Sequence, residues 1–306
     1  MFWNKACGYL NMFFIIYKTM ITLFNKVVFS KGTLMSGFKI IGVALKLLPK
    51  AVQLNVVVKL VSRPMRIPSA GSELSRLAES RNYGANGNKV AWYIGTGPLI
   101  VCVHGWGGAG AEDMGKLAIA LSKLGFTIAV LDLSGHGASP GKSIGFGVFI
   151  RDICEFSESL DKPIYAVVGF SAGGLSLMAA RYLGKVYAKK YICIASPCKP
   201  YPPLKEAVKS LDLSEELTAK YQEYLASEFG VPWDDITKRC FASCDDQQLC
   251  LIYDNTDTFV KPADADEIAS IWKRALVVKT NGNKHRLMPV ADEVIQAVAE
   301  FIVGNR

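Results

Sequence analysis

The sequence predicts an α/β fold: a mostly parallel sheet with helices on both faces and a small helical insert. Three observations carry this. From about residue 88 onward, short continuous apolar runs alternate with helical stretches, the pattern of strands covered on both faces. Two of these runs end in glycine-rich turns that open a helical stretch, after Val103 and after Val168. One long interruption, residues 197–248, breaks the rhythm, and an insert of that size between consecutive strands usually carries function, such as a lid.

Each element has its own signal. The strand candidates are Val90–Ile94, Leu99–Val103, Thr127–Leu131, Ile164–Val168, Tyr191–Ile194, Leu249–Tyr253 and Leu276–Lys279, all rich in β-branched and aromatic residues. A tight turn, Gly95–Pro98, joins the first two. The helical stretches Ala111–Leu124, Phe146–Leu160, Ala172–Leu183, Ala263–Trp272 and Ala291–Val303 separate most of the strands. The insert holds Pro200, Pro202 and Pro203, then a helical stretch with Tyr221, Tyr224 and Leu225, then Val231–Trp233. These aromatic residues exceed what a solvated loop needs, so the insert is expected to cover the site and set substrate length.

Half of the 306 residues are hydrophobic and a fifth are charged, enough apolar material for a large core. This excludes a disordered or collagen-like chain. The formal net charge of +8 is concentrated at one end. Residues 1–66 carry ten Lys and Arg and no acid, which leaves 25 bases against all 27 acids beyond them. The body is therefore nearly neutral, and nucleic acid is not an expected partner.

Residues 1–34 form a basic, apolar extension, and residues 35–306 are expected to form the catalytic domain. The run Ala6–Phe24 is long enough to cross a membrane, but Asn11 and Lys18 interrupt it and no A-x-A cleavage site follows. Three readings stand: a weak membrane anchor, a disordered tail, or sequence upstream of a start at Met35. Residues 35–53 read as one helix, with Ile40, Ile41, Ala44, Leu47, Leu48 and Ala51 on one side and Lys39, Lys46 and Lys50 on another. Packing on the domain is one reading, and lying on anionic lipid is the other. The expected location is cytoplasmic, and association with a membrane surface through the N-terminal segment is left open.

Eight cysteines include no C-x-x-C pair. Cys102 and Cys193 lie in apolar runs, and Cys240, Cys244 and Cys250 match no common zinc spacing. Free thiols in a reducing compartment are expected, with no metal and no cofactor.

The chemistry is carried by Gly169-Phe170-Ser171-Ala172-Gly173, between a strand and a helix. A serine on a strained strand-to-helix turn needs small residues two before and two after it, and here both are Gly. Such a turn lifts the hydroxyl above the strand ends and aims the N–H of Ala172 at a developing oxyanion. A second turn, Val103-His104-Gly105-Trp106-Gly107-Gly108, offers the N–H of Trp106 as the other donor.

That turn also contains a rival. Gly105-Trp106-Gly107-Gly108-Ala109-Gly110 satisfies G-x-G-x-x-G, and Asp132 follows the next strand, the outline of a dinucleotide-binding oxidoreductase. The rival reading leaves the serine turn unexplained, and its fingerprint does not follow an opening strand. A P-loop fails because Gly141-Lys142-Ser143 would need Gly where His136 stands.

A hydrolytic serine needs a base, and the chain has only His104, His136 and His285. His104 sits inside the oxyanion turn, which suits a structural role, and His136 lies before the serine. His285, in a loop after the last strand, has the late position that the base must have in this architecture. The base needs an acid to fix its tautomer. Asp254 abuts the strand Leu249–Tyr253 and suits a turn cap, whereas Asp257 is a turn further out and is the expected partner.

Together these strings resemble the α/β-hydrolase superfamily, in particular bacterial serine hydrolases with an H-G-W-G-G turn and a late D-x-x-D-x-x-V turn. The matching strings are HGWGG at 104–108, LDLSGHGASPG at 131–141, VVGFSAGG at 167–174, YDNTDTFV at 253–260 and NGNKHR at 281–286. The likeness runs from about residue 60 to the end. It departs at Phe170, where many relatives carry His, and at Asn283-Lys284-His285, where a Gly-His pair is usual. The resemblance implies an α/β-hydrolase fold with a triad of Ser171, His285 and Asp257, an oxyanion hole from Trp106 and Ala172, and a small-molecule acyl substrate. The expected reaction is carboxylic ester hydrolysis, with thioester and amide open. A non-catalytic binding protein on the same scaffold is the remaining alternative.

Overall fold

The computed structural model describes residues 35–64, 67–69, 71–200 and 203–304. The expectations for residues 1–34 lie outside the described residues. No described helix is long and apolar enough to cross a membrane.

The described residues divide into two compact units, one drawn from 35–63 and 203–228 and the other from 64–200 and 229–304. The larger unit is built on an eight-stranded sheet in the order β1-β2-β4-β3-β5-β6-β7-β8. Its strands are β1 (Glu79–Tyr83), β2 (Lys89–Ile94), β3 (Leu99–Val103), β4 (Thr127–Asp132), β5 (Ile164–Phe170), β6 (Lys190–Ile194), β7 (Gln248–Asp254) and β8 (Leu276–Thr280). The β1–β2 and β2–β4 pairings are antiparallel, and every pairing from β4 through β3 to β8 is parallel. Strands β2 and β3 are joined by the Gly95–Pro98 turn but do not pair, because β4 lies between them.

The strands keep a two-residue period across this sheet. Val101, Val103, Ala129, Leu131, Val167 and Leu251 face one helical layer, which includes Phe149, Ile153 and Phe156 of the helix Phe146–Glu158. Ile100, Cys102, Ile128, Val130, Val168 and Ile252 face the other, which includes Leu117 and Leu121 of the helix Gly115–Ser122 and Val294, Val298 and Ile302 of the helix Asp292–Val303. Both faces are dry, as the continuous apolar runs required.

Strand β1 was not expected. Its residues Glu79, Ser80, Arg81 and Asn82 are all exposed, so it lacks an apolar signal. Edge pairing with β2 holds it, and buried Tyr83 anchors it by donating to the Asp132 carbonyl at 3.2 Å.

The smaller unit contains helices α1 (Met35–Lys46), α2 (Lys50–Val61) and α3 (Pro203–Ser210) and most of α4 (Glu216–Phe229). The single helix expected over 35–53 is two helices. Pro49 stands at the N-cap of α2, and its ring is excluded from a helix interior. Ile41, Leu45, Val56, Val57 and Leu60 share a core with Leu204, Val208, Leu211 and Leu217. The approach is close: a Cβ on Gly42 would stand 1.9 Å from the Leu211 carbonyl oxygen. The insert read as one piece therefore contributes to both units. Ile236, Cys240 and Phe241 from its second half join the core of the larger one.

Candidate active site

The C-terminal ends of the parallel strands gather the chemistry. Ser171 follows β5 and precedes the helix Ala172–Tyr182. Its φ of 52° places a non-glycine residue in the left-handed region, a strained conformation typical of functional turns. The flanking glycines are obligatory. A Cβ on Gly169 would come within 2.3 Å of the Gly174 Cα, and one on Gly173 within 2.2 Å of the His104 carbonyl oxygen. The turn is tied to its neighbour strand by Ser171 N–H donating to the Ile194 carbonyl at 2.9 Å.

His285 Nε2 lies 3.0 Å from Ser171 Oγ, and its Nδ1 lies 2.7 Å from Asp257 Oδ2. An ionised carboxylate only accepts, so Nδ1 carries the proton and Nε2 is free to accept from the serine hydroxyl. The other Asp257 oxygen accepts the backbone N–H groups of Phe259 at 2.7 Å and Val260 at 3.0 Å. The Asp257 side chain is 1% exposed and that of His285 14%. The imidazole is flanked by two rings, Phe170 at 5.0 Å and Phe259 at 5.5 Å. Phe170 is buried, whereas Phe259 is 69% exposed.

Asp254 occupies a different place from Asp257. Its carboxylate is fully buried. One oxygen accepts Thr256 N–H, Gly282 N–H, Lys284 N–H and the Thr256 hydroxyl; the other accepts the Thr280 hydroxyl and Asn283 N–H. Burial alone would push this carboxyl up, but the bonds from Thr256, Asn283 and Thr280 outweigh burial and hold it well below the usual carboxylate range.

The other turn lies against the serine elbow, since a Cβ on Gly105 would be 3.0 Å from the Ser171 Cβ. Trp106 is the next residue. The N–H of Ala172 is the first of its helix, and a helix leaves its first four N–H groups without intrahelical partners. Both remaining histidines brace this turn. His104 Nε2 accepts from Leu133 N–H at 3.1 Å, so its Nδ1 donates to the Gly105 carbonyl at 2.7 Å. His136 Nε2 accepts from Gly107 N–H at 3.3 Å. Burial lowers both histidines, His104 to about 3. The bracing role of His136 was not legible in the sequence; the only signal is its SGHG surroundings.

The dinucleotide outline loses its acid. Asp132 is fully buried and accepts four hydrogen bonds, from Ser69, Gly110 N–H, Trp92 Nε1 and Ala138 N–H, at 2.7–2.9 Å. No acceptor capacity is left for a ribose hydroxyl, and the carboxylate instead ties the Gly105–Gly110 turn to β4.

Among the described residues one group, Cys198, Asp264 and Glu267, has the donor types for a metal ion. Its chemistry fits a hydrogen-bonded thiol instead. Cys198 Sγ is 3.1 Å from Glu267, burial followed by its acidic neighbours raises the thiol to about 12, and Lys238 pairs with the other Glu267 oxygen at 3.0 Å.

A mostly parallel sheet with a serine elbow at the end of its fifth strand defines the α/β-hydrolase architecture. Residues 98–224 match the alpha/beta hydrolase fold family. A pimeloyl-[acyl-carrier protein] methyl ester esterase from Vibrio atlanticus (strain LGP32) is 29% identical over 142 residues, 45% of this chain; the chain spans about half, 52%, of that relative's length. The esterase of Pyrococcus furiosus superposes with a TM-score of 0.58 at 21% identity, covering 79% of this chain and 96% of that one. An epoxide hydrolase from Vigna radiata superposes with a TM-score of 0.53 at 18% identity, covering 76% and 99%. Structural likeness at such identities is likeness of fold. The chain has the α/β-hydrolase fold, and the stretch 98–224 matches the model of that fold family.

Proposed function

We propose that the protein is a serine hydrolase that cleaves carboxylic esters of small acyl substrates through an acyl-enzyme. The observation that carries this reading is the pair of contacts at His285, 3.0 Å to Ser171 Oγ and 2.7 Å to Asp257 Oδ2. Ser171 Oγ attacks the carbonyl carbon while His285 Nε2 takes its proton. The N–H groups of Trp106 and Ala172 receive the oxyanion. Collapse breaks the carbonyl carbon–oxygen bond to the leaving group, which departs with the proton from His285. Water, deprotonated by the same nitrogen, then releases the acid and restores Ser171. Asp257 keeps the imidazole in the accepting tautomer throughout.

The related pimeloyl-[acyl-carrier protein] methyl ester esterase supports an ester over an amide. To the part of the insert that belongs to the larger unit, residues 229–248, we assign the chain-length preference, because the insert leaves the sheet after β6 at the same edge as Ser171. Fluorophosphonate labelling and hydrolysis of p-nitrophenyl esters test the reading. Neither labelling nor turnover would favour a non-catalytic binding protein on this scaffold.

A further inference from the structure

Lys284, immediately before His285, has a φ of 54°. An exposed lysine is thus held in the left-handed region, which glycine adopts freely and other residues resist. The preceding Gly282 also has a positive φ, 100°. Nothing in the side chain of Lys284 favours this conformation. The backbone around it is held from outside: Gly282, Asn283 and Lys284 turn three successive N–H groups onto the Asp254 carboxylate, at 3.3, 3.0 and 3.2 Å. Thr280 Oγ1 joins them at 2.9 Å from the last residue of β8, and Thr256 N–H at 2.9 Å from the turn that leads to Asp257. Asp257 N–H in turn donates to the Asp254 carbonyl at 3.1 Å.

We propose that Asp254 is a positioning residue for the general base: its buried carboxylate clamps the Gly282–Lys284 backbone in a turn that keeps Lys284 in the left-handed region it would otherwise leave, and so fixes His285 between Ser171 and Asp257. The clamp couples both halves of the base pair to the end of one strand, since Asp254 closes β7 and precedes Asp257 by three residues. Six donors on one carboxylate exceed what capping a turn requires. Three of them come from the loop that carries the histidine. This role rests on the hydrolase reading above for its consequence in catalysis, but the clamp itself is observable without turnover.

The test is a double-mutant cycle in the full chain, with Asp254→Asn, Lys284→Gly and the double variant. It reads three quantities: kcat and KM on p-nitrophenyl butyrate, the rate of fluorophosphonate labelling, and amide exchange at Gly282–His285. An Asn amide turns a donor toward backbone N–H groups, which opens the clamp. Asp254→Asn should lower kcat and labelling about 10²-fold, as a misplaced catalytic group does, with KM changed less than threefold. Exchange at Gly282–His285 should speed up while the sheet stays protected. With Gly at 284 the turn needs less restraint, so the loss caused by Asp254→Asn should shrink at least tenfold. An equal loss in both backgrounds overturns the proposal, as does an Asp254→Asn variant within threefold of wild type.

If Asp254→Asn does not fold, Lys284→Val tests the same turn from an exposed position. A β-branched residue resists the left-handed region, so kcat should fall roughly tenfold with the unfolding midpoint nearly unchanged. Wild-type kcat in Lys284→Val overturns the proposal. Failure of the hydrolase reading is distinct, because wild type itself would then neither label nor turn over whatever the exchange pattern.

Discussion

His285 Nδ1 and Asp257 Oδ2 are 2.7 Å apart, and the second Asp257 oxygen is tied to two backbone N–H groups of its own turn. The carboxylate therefore cannot swing away from the imidazole without breaking three contacts. Asp254, three residues earlier, is equally buried but directs its oxygens at backbone and hydroxyl donors.

These two environments predict different losses. Asp257→Asn places an amide donor against a ring N–H, which forces the wrong tautomer and should cost about 10⁴ in kcat. Asp254→Asn should cost about 10², through misplacement of the loop. Steady-state kinetics on one ester checks the order, and a larger loss at Asp254 would mean that the acid of the triad is Asp254.

Phe259 presents an exposed ring 5.5 Å from the imidazole, and on the proposed hydrolase reading this ring would contact the acyl chain or leaving group. Phe259→Ala should lower kcat/KM for an octanoate ester relative to an acetate ester by roughly three- to tenfold, since apolar contact is worth about 1–3 kcal/mol per methylene at most. An unchanged ratio would leave Phe259 with packing against His285 alone.

The sheet was legible because its strands are continuously apolar, and Val101 and Cys102 alternate between two dry faces as that pattern implies. Strand β1 was not, because an edge strand such as Glu79–Tyr83 is specified by pairing rather than by hydrophobicity. The second unit was hidden for a related reason. Nothing local marks Leu204 and Leu211 as partners of Ile41 and Leu45, which lie more than 150 residues away. Within the site, Ser171 was legible because close backbone contacts at Gly169 and Gly173 demand glycine. His285 followed from scarcity, as one of three histidines. The clamp on Lys284 and the ring of Phe259 depend on contacts across loops, which leave no spacing in the chain.

Acid should destabilise the protein through His104. The folded protein keeps this ring neutral down to about pH 3, because burial disfavours its charge, whereas an unfolded chain protonates it near 6.5. Between these values the unfolded state binds more protons, so stability falls as pH drops through that window, by an amount on the order of a few kcal/mol. The burial shift at His136 has the same sign. Asp113, raised to about 6 by burial, acts oppositely between about pH 4 and 6. With two histidines against one carboxyl, the urea midpoint should be lower at pH 4.5 than at pH 7.5. His104→Gln should flatten the difference, and a midpoint that rises toward pH 4.5 would contradict this account.

The central claim is that Ser171 is a nucleophile activated by His285. Intact-mass analysis and peptide mapping after fluorophosphonate treatment test it most directly. The account predicts one adduct, on Ser171, absent from Ser171→Ala, with ester turnover in that variant reduced by about 10⁴–10⁶. No adduct, an adduct on another residue, or a tenth of wild-type turnover surviving in Ser171→Ala would contradict it.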